Sequence, residues 1–346
     1  GYAAGALVST GVENTLIGSR AGDALTTGSY NIAIGVDALD AEDTGSRNVA
    51  IGYNSLKALN YDGNGYNVAI GFDAGKAVST GVNNVIVGAL AGDAIQGANY
   101  NTLIGHNAGS ALTSGGYNVA VGGLALDAED GHSANVAIGY ASLTNLNAGA
   151  SGHNVAVGYD SGKSMTTGIQ NTVIGSHAGD ALTTGAENVA VGAYALSTED
   201  AHGQNTAVGN AALMTLDAGA NANNVAVGYD AGKLMTTGTN NTLMGGFAGD
   251  ALTTGVNNVA IGRSALSTED AHGYNVAIGT YALLNQDAGA DAYNVAVGYS
   301  AGTNITTGVN NTIIGGAAGI SLTTAGNNVA IGYDALGDET TGGNNI

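Results

Sequence analysis

No cysteine, proline or tryptophan occurs in the 346 residues, phenylalanine occurs twice, and charged residues of all kinds make up only 10%. Without cysteine there is no disulfide framework, no thiolate chemistry and no cysteine-zinc site, although this absence does not name a compartment. Basic residues are scarce: seven Lys+Arg stand against 27 Asp+Glu, a formal net charge of −20. So acidic a chain repels a phosphate backbone and an anionic bilayer alike, so neither nucleic acid nor a lipid surface is expected as a partner. No apolar run reaches the roughly 18 residues of a membrane helix, and no basic stretch followed by an apolar one marks a leader, so membrane insertion is not expected. Glycine, by contrast, is abundant, with 59 residues, and the hydrophobic share is 44%. Glycine without proline or a three-residue period is not collagen, and that apolar share is too high for a disordered linker.

What is present is a period. The pattern Asn, then Val/Thr/Ile, a small or aliphatic residue, Ile/Val/Met, and Gly begins at Asn14 and recurs through Asn328, with a twentieth copy opening at Asn345. Successive Asn residues are 17 apart, except for four spacings of 19 that begin at Asn48, Asn135, Asn205 and Asn275. Four kinds of coil follow one another in a 70-residue unit that runs from Asn154 to Asn224 and again from Asn224 to Asn294. The unit starting at Asn67 carries one extra coil of 17. Repeats this regular mean stacked supersecondary units.

Seventeen residues cannot hold two helices and their turns, and short alternating apolar runs bounded by Asn and Gly are strand signals. The expected fold is all-β, a parallel β-solenoid or β-roll of about 20 coils at about 4.8 Å per coil, hence a rod of about 95 Å. It is expected to form one continuous domain over residues 1–346, uncapped at both ends. In each strand the larger first and third residues are expected to face inward and the middle one outward, which would turn Leu16, Leu103, Val173, Leu243 and Ile313 into an external apolar stripe. The glycine closing each strand, among them Gly158, Gly175, Gly192, Gly209, Gly228, Gly245, Gly262 and Gly279, is expected where the backbone must adopt a positive φ. Ala or Ser three residues later, followed by Gly or Leu, suggests a second inward side, and Leu-Thr-Thr or Leu-Thr-Ser segments such as Leu182-Thr183-Thr184 suggest another short strand. The column Asn154, Asn171, Asn188, Asn205, Asn224, Asn241, Asn258, Asn275 and Asn294 is expected to form a hydrogen-bonded ladder along the stack. Stability should then be a sum of neighbour contacts.

Segments such as Tyr66-Asn67-Val68-Ala69-Ile70-Gly71 and Asn257-Asn258-Val259-Ala260-Ile261-Gly262 resemble one strand and turn of the head repeats of trimeric autotransporter adhesins. The longer pattern NTxIGxxAGDALTTGxxN resembles the shaft repeats of marine and cyanobacterial phage tail fibres over essentially the whole chain. Both resemblances imply an elongated extracellular attachment structure without catalysis. The adhesin heads imply a left-handed trimeric roll, but their repeat is shorter than 17 residues.

The most chemical-looking segments are Glu199-Asp200-Ala201-His202 and Glu269-Asp270-Ala271-His272, with an earlier copy at Glu129-Asp130-Gly131-His132. Asp217 and Asp287 occupy the coil position of Asp200 and Asp270 one coil on, so stacking would bring carboxylates within about 5 Å, a set of hard oxygens that could hold Ca²⁺. The competing reading is a solvated acidic turn, because Asn147 replaces the fourth residue in one copy and no calcium-binding nonapeptide is present. Glycoside hydrolysis by paired carboxylates is not expected, since recurring copies on a convex surface form no cleft. Lys76, Lys163 and Lys233 share a coil position with Asp93, Asp180 and Asp250 of the following coil and are expected to pair with them. Thr-Thr pairs raise ice binding, but acidic coils interrupt the array. Tyr159, Tyr229 and Tyr299, with Tyr2 and Phe72, give a periodic aromatic position suited to packing or to glycan stacking. The expected function is a non-enzymatic fibre shaft on a cell surface or virion, needing no cofactor. Its expected partners are copies of itself, end to end or laterally, with a trimer among the stoichiometries, and a cell-surface glycan. The alternative is an ice- or glycan-binding solenoid.

Overall fold

In the computed structural model, which describes residues 1–149 and 151–346, every strand is three residues long, and there is no helix among the described residues. The chain forms two compact units, Gly1–Gln170 and Asn171–Ile346. The first contains nine strands, from Thr15–Ile17 to Val155–Val157, and the second ten, from Thr172–Ile174 to Val329–Ile331. Within each unit the strands of successive coils pair in parallel without slip: Ile70 lies opposite Val87 in the first, and Ala260 opposite Ala277 in the second. Each unit is therefore a parallel β-solenoid with the period read from the sequence.

Among the described residues, only the segment after Asn is a strand. The Leu-Thr-Thr segments, expected as a second strand, are bends. Their hydrogen bonds are bunched: the Asp270 carbonyl accepts from the backbone N–H of Thr253 at 2.5 Å and of Thr254 at 3.3 Å, and also from Thr253 Oγ1 at 2.7 Å. One acceptor serving three donors breaks the even spacing a parallel ladder requires.

The strand faces are the reverse of the expectation. The middle residue points inward: Ala260, Ala277, Leu103, Leu243 and Ile313 are fully buried, and so is Val173, while Leu16 is half-buried. The flanking Val, Ile and Thr face out, with Ile70 at 38% exposure and Met244 at 42%. A coil of 17 residues encloses so narrow a space that an Ala column must line part of it. The β-branched flanks are there because they suit a pleated outer surface.

The strand-closing glycines run at φ from 131° at Gly332 to 147° at Gly228, which a side chain does not tolerate. A Cβ on Gly262 would also collide with the carbonyl of Gly279, one coil on. Other turn positions are left-handed without glycine, as at Ser264 (φ 53°), Leu266 (φ 53°) and Tyr274 (φ 64°). No such residue is β-branched among those described, as expected where χ1 crowding adds to the cost of the left-handed region.

The interior explains why the coils come in kinds. In the coil of Asn241, Leu243 fills the space, and a Cβ on Gly249 would lie 2.8 Å from both Leu243 and Leu252. In the coil of Asn258 the roles exchange: the strand contributes Ala260 and the turn contributes Leu266, both fully buried. The coil of Asn224 is small at both places, with Ala226 and Gly232. Its neighbours fill the gap, because a Cβ on Gly232 would stand 2.7 Å from Leu243 of the next coil and 2.9 Å from Leu213 of the previous one. The long unit is thus a volume pattern that keeps density near that of close packing.

Lys76 and Lys233 pair within their own coils, with Asp73 and Asp230 three residues earlier at 3.1 Å each, instead of with Asp93 and Asp250. Lys163 likewise bonds Asp160 at 3.0 Å. The i,i+3 acid lies beside the lysine stem within the same turn, closer than the axial neighbour. Asp93 and Asp250 have carboxyls pushed up chiefly by burial.

Each buried Asn that opens a 17-residue coil makes two kinds of bond. Its Oδ1 accepts the backbone N–H of the next Asn, as from Asn258 to Asn241 at 2.9 Å and from Asn275 to Asn258 at 3.0 Å. Its Nδ2 donates to a carbonyl fourteen residues on, as from Asn241 to Gly255 at 2.8 Å and from Asn258 to His272 at 3.0 Å. Direct amide-to-amide bonds also occur, for example Asn241 Nδ2 to Asn224 Oδ1 at 3.2 Å. In the 19-residue coils that fourteenth carbonyl is carried off by the wider turn. Asn48, Asn135 and Asn205 donate instead to a carbonyl two residues back at 3.3 to 3.5 Å, and Asn275 Nδ2 has no partner.

Asn258→Ala should therefore strand the Asn275 amide and the His272 carbonyl, at a cost of about 2–4 kcal/mol for two orphaned groups. Asn275→Ala should strand only the Asn294 amide and cost about half as much. Hydrogen exchange in the affected coils, read by mass spectrometry, should rank the two variants in that order; equal effects would contradict the bond assignment.

Candidate functional site

Glu42, Glu129, Glu199 and Glu269 are fully buried. Each stands eleven residues after its Asn, where other coils place Leu25, Ile95, Leu182, Met235 or Leu252 in the core. The solvated acidic turn expected of this segment is corrected for these glutamates, because the carboxylate is turned inward to cap the backbone. Oε1 accepts the N–H three residues on: Gly45 at 2.6 Å, His202 at 3.0 Å and His272 at 3.1 Å. Oε2 of Glu42 and of Glu199 reaches the wider coil that follows, accepting from the N–H of Tyr61 and of Ala218 at 3.3 Å each. Burial pushes the carboxyls of Glu42 and Glu269 up, while the amide bonds, and for Glu269 also His272, pull the other way.

Around this buried acid the surface gathers. Ligand atoms of Glu199, Asp200, His202 and Asp217 lie within 4.8 Å of one another, and the same holds for Glu269, Asp270, His272 and Asp287. The third copy has Glu129, Asp130 and His132, with Asn147 at the fourth place. All six carboxylates singled out in the sequence are thus brought together, in two sets. The histidines were missing from that set, although the Glu-x-x-His spacing marks them. Nδ1 of His132, His202 and His272 sits 2.6, 3.2 and 3.3 Å from the Oε1 of its glutamate. An imidazole among carboxylates suits first-row divalent metals better than Ca²⁺, which takes oxygen ligands. Asp200 and Asp217 are exposed and His202 is half-buried, whereas Glu199 already serves the turn amides and faces the His202 Nδ1.

The aromatic residues form two short-run columns. Directly after the strand glycine, Tyr53 and Phe72 stack at 5.4 Å and 10°, whereas Tyr229–Phe247 and Tyr281–Tyr299, each with one ring a residue further on, meet edge to face. Before the Asn, Tyr100–Tyr117 and Tyr274–Tyr293 stack at 5.1 and 5.0 Å. Stacked rings cover one another's faces and present edges outward, which favours packing over a platform for sugars. Arg47 lies over both Tyr30 and Tyr66, at 5.1 and 5.8 Å. The threonine hydroxyls are engaged between coils, Thr183 with the Asp200 carbonyl at 2.8 Å and Thr236 with that of Thr253 at 3.2 Å. A feature missed in the sequence is an open groove of about 640 Å³ floored by Ala41, Ala58, Ala77 and Ala94 and flanked by Asp40, Lys57, Lys76 and Asp93. Asp40 is pushed up to about 6 there by burial and by Asp23.

The native fold holds the proton of Glu269 more tightly than the unfolded chain does, so this group's charge weakens the fold as pH rises through its raised pKa. Glu269→Gln keeps an acceptor for the His272 amide and removes the charge; it should stay within about 1 kcal/mol of the parent at pH 7. Glu269→Ala leaves that amide orphaned beside a cavity and should cost about 2–4 kcal/mol. Urea unfolding at pH 5 and pH 7 separates the two, and an alanine variant as stable as the glutamine one would remove the capping role. No family model and no curated protein matches the chain.

Proposed function

We propose that this chain is a shaft segment of an extracellular fibre or filament, of the kind found in phage tail fibres or surface adhesins, acting mechanically, without catalysis and without a required cofactor. The observation that carries this reading is the coil-to-coil continuity of the bonds. Within each unit successive strands pair without slip and the Asn amides link one coil to the next, so each unit depends on neighbour contacts and not on one globular centre. The acidic surface keeps such a shaft soluble and suits life outside the cell, where a spacer holds its ends apart. An ice- or glycan-binding solenoid draws less support, because the paired threonine hydroxyls bond neighbouring carbonyls and the stacked tyrosines offer edges.

Negative-stain electron microscopy of the purified chain should show filaments or elongated particles of about 100 Å or more, as expected for about twenty coils at about 4.8 Å each. Compact particles would end the shaft reading. Single rods of that length with ice-shaping or sugar-retained behaviour would move the assignment to the binding class.

A further inference from the structure

The outward face of the strands carries an unusual distribution of charge. Each strand turns two side chains out, and in all nineteen these are Val, Ile, Thr or Met, with no charged residue among them. The chain nevertheless contains 27 acidic residues. The next outward position on either side, before the Asn and after the Gly, carries many of the tyrosines, and only Glu13 and Glu187 bring an acid there. Ile104 and Ile138 are each 38% exposed and Ile314 is 37%. An apolar centre with a tyrosine-bearing rim depleted of acids is the composition of an interface centre.

We propose that this strand face is where a second copy of the chain docks, side by side. Three observations select that occupant. Two copies of a chain at −20 repel each other wherever acids meet, so a close approach requires this acid-poor face on both. The face also has a fixed axial repeat of about 4.8 Å, and a second copy is the partner that brings the same repeat and seats its β-branched rows between the first copy's along its length. The area suffices as well. In the second unit, ten strands give about 48 Å of height, and a width of about five residues gives about 17 Å, so the face offers about 800 Å², what a standard interface takes from each partner. This inference rests on the shaft reading and refines it: shafts associate through their strand faces, and their acidic turns remain in water.

The test uses the whole chain at about 10–50 μM. Light scattering coupled to size exclusion should give at least twice the chain mass of 33.6 kDa. Ile261→Asp combined with Ile278→Asp places like charges at the centre of both facing copies and should return the mass to that of one chain. Thr268→Asp adds a charge on an exposed turn away from the strands and should leave the mass doubled. Circular dichroism and unfolding curves test whether both variants remain folded; should the double aspartate variant unfold, Ile261→Thr with Ile278→Thr keeps the strand shape, and a dimer weakened by at least tenfold is expected from it. A parent chain of single mass at these concentrations overturns the proposal, as does a dimer untouched by the strand-face changes. Ice-crystal shaping abolished by those same changes also overturns it and assigns the face to ice. Small-angle scattering on the same samples keeps the two readings apart: an elongated particle of single mass leaves the shaft intact and removes only the docking, whereas a compact particle removes the shaft.

Discussion

The structure depends on a buried carboxamide that serves two coils at once. An asparagine side chain offers one acceptor and two donors on a short, stiff stem. Here the acceptor takes the amide of the next asparagine, and a donor takes the carbonyl that closes the next turn. Buried backbone groups must be paired, and between three-residue strands there are few places to pair them. Aspartate would lack the donor and glutamine would overreach. The spacing of the coils, their register and the position of the closing turn all follow from this one group.

The same constraint explains where the pattern loosens. A coil lengthened to 19 residues moves the turn carbonyl away, and its asparagine loses that bond, most completely at Asn275. The coil before each long one carries the buried glutamate, whose second oxygen in two of the four copies holds an amide of the widened coil. A carboxylate in a row otherwise made of Leu, Ile, Val and Met, apart from Gln286 and Glu339, is costly to bury. It is kept where an irregular turn leaves backbone donors that an apolar side chain could not satisfy. The histidines and aspartates at the surface then gather around it as a consequence of the stacking.

Legibility followed from how directly a residue's role is tied to the backbone. The Asn and Gly columns could be read from spacing alone, because each answers a need of the main chain that recurs in every coil. The acidic clusters were read as neighbours one coil apart, and they are neighbours. Their histidines and the inward turn of Glu199 and Glu269 were not seen, although a clue lay in the column itself, where Leu182 and Leu252 stand one coil earlier. The lysines were placed one coil away from their partners, because stacking position was weighed above the nearer acid of the same turn.

The parallel β-solenoid, its period, the strand after each Asn and its glycine turns were determined by the sequence by itself, since a constant spacing of Asn and Gly leaves a stacked coil as the only way to repeat the same bonds. Which side of each strand faces inward was decided only in the tertiary structure. Alternation separates two faces without naming either, and Val, Ile and Thr satisfy an exposed strand as well as a buried one. The choice was made by volume: the interior of so small a coil admits Ala260 with Leu266, or Leu243 with Gly249, and that complementarity exists only once the turn has folded each pair together and the neighbouring coils, such as those of Leu213 and Leu243 around Gly232, have stacked.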